Sequence, residues 1–328
     1  MNQKYPEGQP DDQIKKKVFA SFFRTGKAKF NRCLELSMSC KNKAIRAHSV
    51  QNSRILENLI DNGHVITFKA RIDKNKGPQI DLGLVGRDKA TTFTGLCSVH
   101  DQELFAAIDN EEISLDNKQH LFLLAYRSVH RELHATMEAA SKIQSAYLQL
   151  LELGLDPADQ PSEAGMTAVG KMVIAWQTWK YKTDFDEVFL KENYDLICHD
   201  TFTINLPRPT IAVSALFSMD DFVLEDDVLR VVLNVIPVTE NHTHIIFSYR
   251  KQDTDIARVA LDRVLNTLGT YQLYEISRLI LNNCENFVLN PKYVDDWSEA
   301  KRETIRKYFV ATILKGDMEF QSSDLYLF

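Results

Sequence analysis

Four side chains able to bind a transition metal, Cys33 and Cys40 followed much later by Cys97 and His100, constrain this chain more than any other feature. Two ligand pairs that far apart in sequence can be drawn to one tetrahedral Zn²⁺. The ion takes thiolate and imidazole ligands and returns the closure of the intervening chain as folding energy. The tripeptide Ala47-His48-Ser49 lies between the pairs. The five cysteines are an odd number in a chain of 328 residues, which fits a reducing compartment and metal binding better than a disulfide framework.

That length predicts two or three domains, because one core seldom organises so many residues. No run of 18 apolar residues occurs, and the first residues, MNQKYPEGQPDDQ, are polar. Neither a membrane span nor a signal peptide is therefore expected, and a cytoplasmic location follows. The net charge of −6 is unevenly spread. Residues 14–90 hold 17 Lys and Arg against six Asp and Glu, whereas residues 91–328 hold 21 against 36. A basic stretch joined to an acidic body is the asymmetry expected if one end meets a polyanion, because Lys and Arg displace counterions from phosphates. A solvated basic face is the alternative.

Periodicity predicts an α+β protein: an N-terminal zinc-stabilised module, central helices and a C-terminal α+β domain. Residues 1–13 read as a disordered lead and 14–116 as the zinc module. That module has short helices at 14–23 and 51–60, a strand at HVITFKARI, and a helix opening at CSVHDQELFAAI. Residues 117–199 read as helical. Apolar residues from Leu121 to Tyr147 recur near 3.6 residues, and Met172, Trp176 and Trp179 share a side of a second helix that is expected to pack on another helix. Residues 200–328 read as strands at TFTINL, IAVSALF, VLRVVLNVIPV and HTHIIFSY, followed by helices at 253–268, 271–283 and 298–314, the last capped by Ser298.

Taken together, CLELSMSC, AIRAHSVQ and FTGLCSVHDQELF resemble an HNH, or ββα-metal, nuclease module built on a treble-clef zinc site. The resemblance covers about residues 30–110. It implies that Cys33 and Cys40 form the zinc knuckle and that Cys97 and His100 open the closing helix. It further implies that His48 is the general base and that Asp101 helps hold a catalytic Mg²⁺ or Mn²⁺. That chemistry is coherent: one imidazole can activate water while a hard cation neutralises the phosphoryl oxygens. Lys41, Lys43 and Arg46, flanking the knuckle, are the expected phosphate contacts. The family has an acidic residue where this chain has Ala47, and Thr91 or Thr92 is nearest to its middle Asn. The whole arrangement is also similar to uncharacterised bacterial proteins encoded near phage-defence genes.

Two readings of function follow. One is a metal-dependent nuclease acting on DNA or RNA, with the acidic C-terminal region contacting a protein partner or sensing a signal. The other is a non-catalytic zinc module that binds nucleic acid or protein, or serves as a scaffold subunit; Ala47 motivates it. Among the remaining histidines, His130 and His134 in HRELH are expected on an exposed helix surface, since the order is not HExxH and no third ligand follows. His64 reads as structural or catalytic. Cys198-His199 and His242-x-His244 read as packing and strand-surface residues, and Cys284 as a buried small hydrophobe. No P-loop, Gly-rich dinucleotide turn or G-x-S-x-G elbow is present.

Overall fold

A computed structural model describes residues 30–73, 77–157, 159–224, 227–315 and 320–328. The expected lead at 1–13 and the helix at 14–23 lie outside these residues. The chain is α+β, as its periodicity predicts, and divides into two compact units assembled from interleaved stretches of sequence. The first unit takes in the chain up to Arg46, then Phe93–His100 and His130–Glu187; the second takes in Ala47–Thr92, Asp101–Val129 and Val188–Phe328. This partition differs from the linear boundaries at 116/117 and 199/200.

The second unit is organised by a seven-stranded antiparallel sheet. Its strands are β2 (His64–Asp73), β3 (Gly77–Gly86), β5 (Ile197–Asn205), β6 (Ile211–Val223), β7 (Val228–Pro237), β8 (His242–Arg250) and β9 (Phe287–Leu289), in the order β3-β2-β9-β6-β7-β8-β5. A separate two-residue ladder joins β1 (Ala47–His48) to β4 (Thr92–Phe93). Central strands of a sheet covered on both faces read as continuous apolar runs, which is why IAVSALF and VLRVVLNVIPV are buried almost without alternation. One face carries Val213, Leu233 and Phe247. They pack with Ile276 and Ile280 of α6 (Gly269–Asn283) and with Ile305 and Phe309 of α8 (Glu299–Lys315). On the opposite face, Ser128 Oγ lies 2.8 Å from Ser214 Oγ and 3.0 Å from Asn234 Oδ1, so the polar residues of these strands find partners.

The strand at HVITFKARI is β2, but it belongs to this sheet and not to the cysteine-bearing segment. Alternation shows that Ile66 and Phe68 share a face; it cannot show what that face meets. Here Phe68 stacks on Phe309 at 4.0 Å between ring centroids, and Ile66 pairs with Leu289. The expected helix at 51–60 shrinks to a single 3₁₀ turn, Leu56–Asn58, and Asn62 at φ 48° ends the segment. The helix expected over 253–268 breaks at the core residue Leu261 into α4 (Thr254–Ala260) and α5 (Asp262–Leu265). Ser298 does cap α8, accepting from the Lys301 N–H at 3.1 Å.

Four more helices complete the described residues: α1 (Ser98–Asn110), α2 (Lys118–Glu152), α3 (Glu163–Lys191) and the short α7 (Pro291–Asp295). The expectation of exposed histidines on α2 is corrected, since His130 and His134 are both buried. The His134 ring meets Thr94 Oγ1 at 2.9 Å and the Phe30 carbonyl at 3.0 Å, and it packs against Phe30 and Phe93. Burial lowers its pKa, so it sits neutral as a hydrogen-bonding strut. Met172, Trp176 and Trp179 depart from expectation in the other direction and face solvent.

His199 on β5 shares a 2.8 Å hydrogen bond between Nδ1 and Ser248 Oγ, and burial pushes its pKa down to about 4. The unfolded chain, with an ordinary imidazole near pH 6.5, binds more protons than the fold across this window. Stability should therefore fall as the pH drops from about 6.5 to about 4. His199→Gln should flatten that part of a Tm-against-pH profile, and an unchanged slope would remove His199 as its source.

Candidate metal centre

The first ligand pair sits on a loop held shut by a carboxylate. An antiparallel bridge between Arg32 and Lys43 and the bond from the Ala44 N–H to the Asn31 carbonyl bring the two ends of the segment together. Within it, the buried Glu35 side chain accepts from the N–H groups of Ser37, Ser39 and Cys40 at 2.7, 2.8 and 3.0 Å, and from the Ser37 hydroxyl at 2.6 Å. Burial disfavours its charge. The Ser37 hydroxyl and the three main-chain donors outweigh that and hold the pKa down to about 2. Met38 takes the left-handed conformation, φ 54°, at the tip. Six residues can thus separate Cys33 from Cys40, because Glu35 ties the intervening turn to the Cys40 backbone.

The second pair is placed by the chain entering α1. The Leu34 N–H donates to the Gly95 carbonyl and the Ile45 N–H to the Leu96 carbonyl, each at 2.7 Å. A Cβ at Gly95 would lie 2.5 Å from the Phe93 ring, so only glycine fits there. Cys97 immediately precedes α1, and His100 lies one turn on, so both project from the same end of the helix. The result is a compact group: Cys33 Sγ to His100 Nδ1 3.4 Å, Cys97 Sγ to the same Nδ1 3.3 Å, and Cys40 Sγ to Cys97 Sγ 4.0 Å. All four ligand atoms lie within 4.8 Å of one another. A tetrahedron with metal–sulfur bonds of about 2.3 Å and a metal–nitrogen bond of about 2.0 Å has edges of roughly 3.5–3.8 Å. Cys33, Cys40, Cys97 and His100 can therefore hold a metal ion.

The donors are tuned unequally. Burial pushes the Cys33 thiol up to about 12. At Cys97 burial acts the same way, but the main-chain groups of His100 and Val99 and the Cys33 and Cys40 side chains prevail and hold the pKa down to about 7. A thiolate beside the N–H groups that open a helix is favoured on general grounds. Cys33 needs a cation to ionise, as expected of a buried ligand. Lys182 of α3 is fully buried, pairs with Asp186 at 2.9 Å, and feels the fields of Glu35 and Cys33. Burial lowers its pKa, and these anions oppose the shift.

The remaining site residues are not among the four ligands. Lys41, Lys43 and Arg46 are exposed, as is Arg32, and none forms an ion pair with another described residue. His48 and Asp101 belong to the second unit. His48 is half-buried, its Nδ1 enclosed without a partner, and burial lowers its pKa. Asp101 Oδ1 is likewise enclosed without a partner, and burial raises its pKa while Arg127 opposes the rise. Arg127 acts on both groups and is clamped by Asp109 through two bonds, 2.8 and 2.7 Å. Among the described residues, no second group of three or more His, Cys, Asp or Glu side chains includes His48 or Asp101.

Two contributors, Glu35 and Lys182, were not legible as site residues. Glu35 carries a faint signal, an acid two residues after a cysteine and followed by Ser-x-Ser. Lys182 carries none, because only the fold brings α3 to Cys33. Thr91 sits in the left-handed region at φ 54°, a genuine outlier for a β-branched residue, and its Oγ1 is buried without a partner while its carbonyl accepts from the Ser49 N–H and hydroxyl. Comparison with protein-family models, curated proteins and solved structures gives no match.

Proposed function

We propose that this chain is a nucleic-acid-binding protein whose grip on phosphate is built on a structural zinc site. The donor set, three thiolates and one imidazole at tetrahedral spacing, suits Zn²⁺ in a closed site with no open position for chemistry. The observation that carries the reading is the basic surface of the ligand loop. Arg32, Lys41, Lys43 and Arg46 are exposed around Cys33 and Cys40 with no described acidic partner, whereas Glu35 is turned inward and neutralised by N–H groups. Cations fixed on a metal-stapled loop can meet phosphates with little ordering cost. Cysteine ligands support a reducing compartment such as the cytoplasm; no helix among the described residues is long and apolar enough to cross a membrane.

Phosphodiester hydrolysis is the second reading. It is favoured by His48, Thr91 and Asp101, which each leave a buried polar atom unpartnered, and by the strained backbone at Thr91. Such atoms are costly unless a ligand or ion meets them. In this reading His48 activates water, and Asp101 with substrate oxygens holds Mg²⁺ or Mn²⁺, which usually keeps only one or two protein carboxylates.

Elemental analysis should find one zinc per chain. Cys40→Ser should lower zinc content and destabilise the first unit broadly, because metal affinity here is folding energy; a folded, zinc-free wild type would remove the site.

Binding to a DNA or RNA duplex should weaken with salt, log K falling with log salt at a slope of about −3 to −4 for four phosphate contacts. Lys41→Ala/Lys43→Ala/Arg46→Ala should reduce that slope by about 3 across unrelated sequences. Affinity indifferent to salt would defeat the proposal. Cleavage of plasmid or RNA in Mn²⁺, abolished by His48→Ala with zinc retained, would establish the hydrolytic reading, and no cleavage with any divalent ion would leave binding alone.

A further inference from the structure

The first two-thirds of α3 is apolar nearly all round, yet the described residues cover little of it. Ala168, Ala175 and Thr178 form the buried seam. Seven large apolar residues lie outside it, exposed by 62 % at Met166, 54 % at Val169, 46 % at Met172 and Val173, 44 % at Ile174, 57 % at Trp176 and 38 % at Trp179. At 100° per residue all of them but Ile174 occupy one arc of about 140°, wider than the stripe by which a helix ordinarily faces a core. With about 200 Å² for a whole Trp and less for the others, the six in the arc present on the order of 500 Å² of apolar surface. That reaches the largest patch a monomer normally leaves open and approaches the roughly 800 Å² each partner gives to a standard interface.

We propose that this face is a homodimer interface in which α3 packs antiparallel on α3 of a second copy. Met166, Val169, Val173 and Trp176 follow the 3-4-3 spacing of a knobs-into-holes seam, and that spacing is symmetric about position 171. A two-fold axis at that level sets Met166 against Trp176 and Val169 against Val173 in both directions, as an isologous contact requires. The same register brings the exposed Glu163 within one residue of the level of the exposed Lys180 of the second copy, twice, whereas a parallel pairing would set each against its like. Gly170 lies one residue from the level of the axis, and a Cβ there would meet nothing within 4 Å, so glycine has no packing reason among the described residues and leaves room for a second backbone. Lys171, the one charged residue between Glu163 and Lys180, falls outside the arc.

Sedimentation of the full, zinc-loaded chain from about 1 to 100 μM should show a concentration-dependent species of twice 37.6 kDa. Val173→Asp should weaken dimerisation on the order of 100-fold with helicity and zinc content unchanged, because the site is solvent-facing in the protomer. Glu163→Lys should weaken it about 5-fold, and Glu163→Lys/Lys180→Glu should restore it, an outcome that loss of folding cannot produce. A monomer up to 100 μM overturns the proposal, including one whose α3 tryptophans respond to phosphatidylcholine vesicles instead. So does a dimer that Val173→Asp leaves intact, or one that the charge exchange fails to restore.

Discussion

Three cysteine sulfurs and an imidazole nitrogen converge within 4.8 Å, and the N-terminal part of the first unit depends on that convergence. Residues 30–46 and 93–100 bury few large apolar side chains, chiefly Leu34, Phe93 and Leu96, so they lack a core able to offset the entropy of fixing two irregular segments. A divalent cation changes the balance: it draws the thiolates together, where mutual repulsion and desolvation would otherwise keep Cys33 protonated. Zinc with three thiolates and one imidazole carries a net charge of −1. Lys182 is fully buried and paired with Asp186, and it is near enough to Glu35 and Cys33 to feel their fields, so the helical part of the unit would respond to the charge of an occupied site.

How much of this was legible in the sequence depended on whether a signal was local. Cys97 and His100 share a helix end, and Cys33 and Cys40 share a short loop, so residue type and spacing sufficed to name them. The long runs of β6 and β7 and the 3.6 period of α2 are equally local. Failures arose where a residue's role is set by a distant partner. HRELH looks like a solvated helix face until Thr94 and the Phe30 carbonyl are brought against His134. The Trp176 stripe looks like a core face because periodicity reports that a face is apolar, never that the chain supplies its cover. The β2–β3 hairpin reads as part of the metal module only because it lies between the ligands in sequence; Phe309, which it stacks on, is more than 200 residues away.

Around His48 the fold retains features that stability alone would remove. A buried donor or acceptor without a partner costs about 1–3 kcal/mol, and a β-branched residue at positive φ adds a cost of similar order. His48, Thr91 and Asp101 accumulate such costs within one short stretch on either side of the β2–β3 hairpin. Arg127 is fixed by Asp109 and buried over the Phe105 ring at 4.2 Å, so it contributes a positive field that neither His48 nor Asp101 quenches by direct bonding. A phosphate oxygen or a hydrated cation would satisfy these groups; a purely architectural strand end would not need them.

A two-fold pairing through α3 bears directly on affinity for a polyanion. One ligand loop offers four exposed cations, few enough that binding to a duplex at physiological salt would be weak, since each phosphate contact is discounted by the counterions already condensed there. Two loops held on one rigid helical pair turn the second contact into an intramolecular event, with an effective concentration in the millimolar range when the span matches the ligand. The gain requires no new side chain. It also explains how an apolar helix face that a soluble monomer would lose can be retained: the surface that costs solubility when open raises avidity when paired.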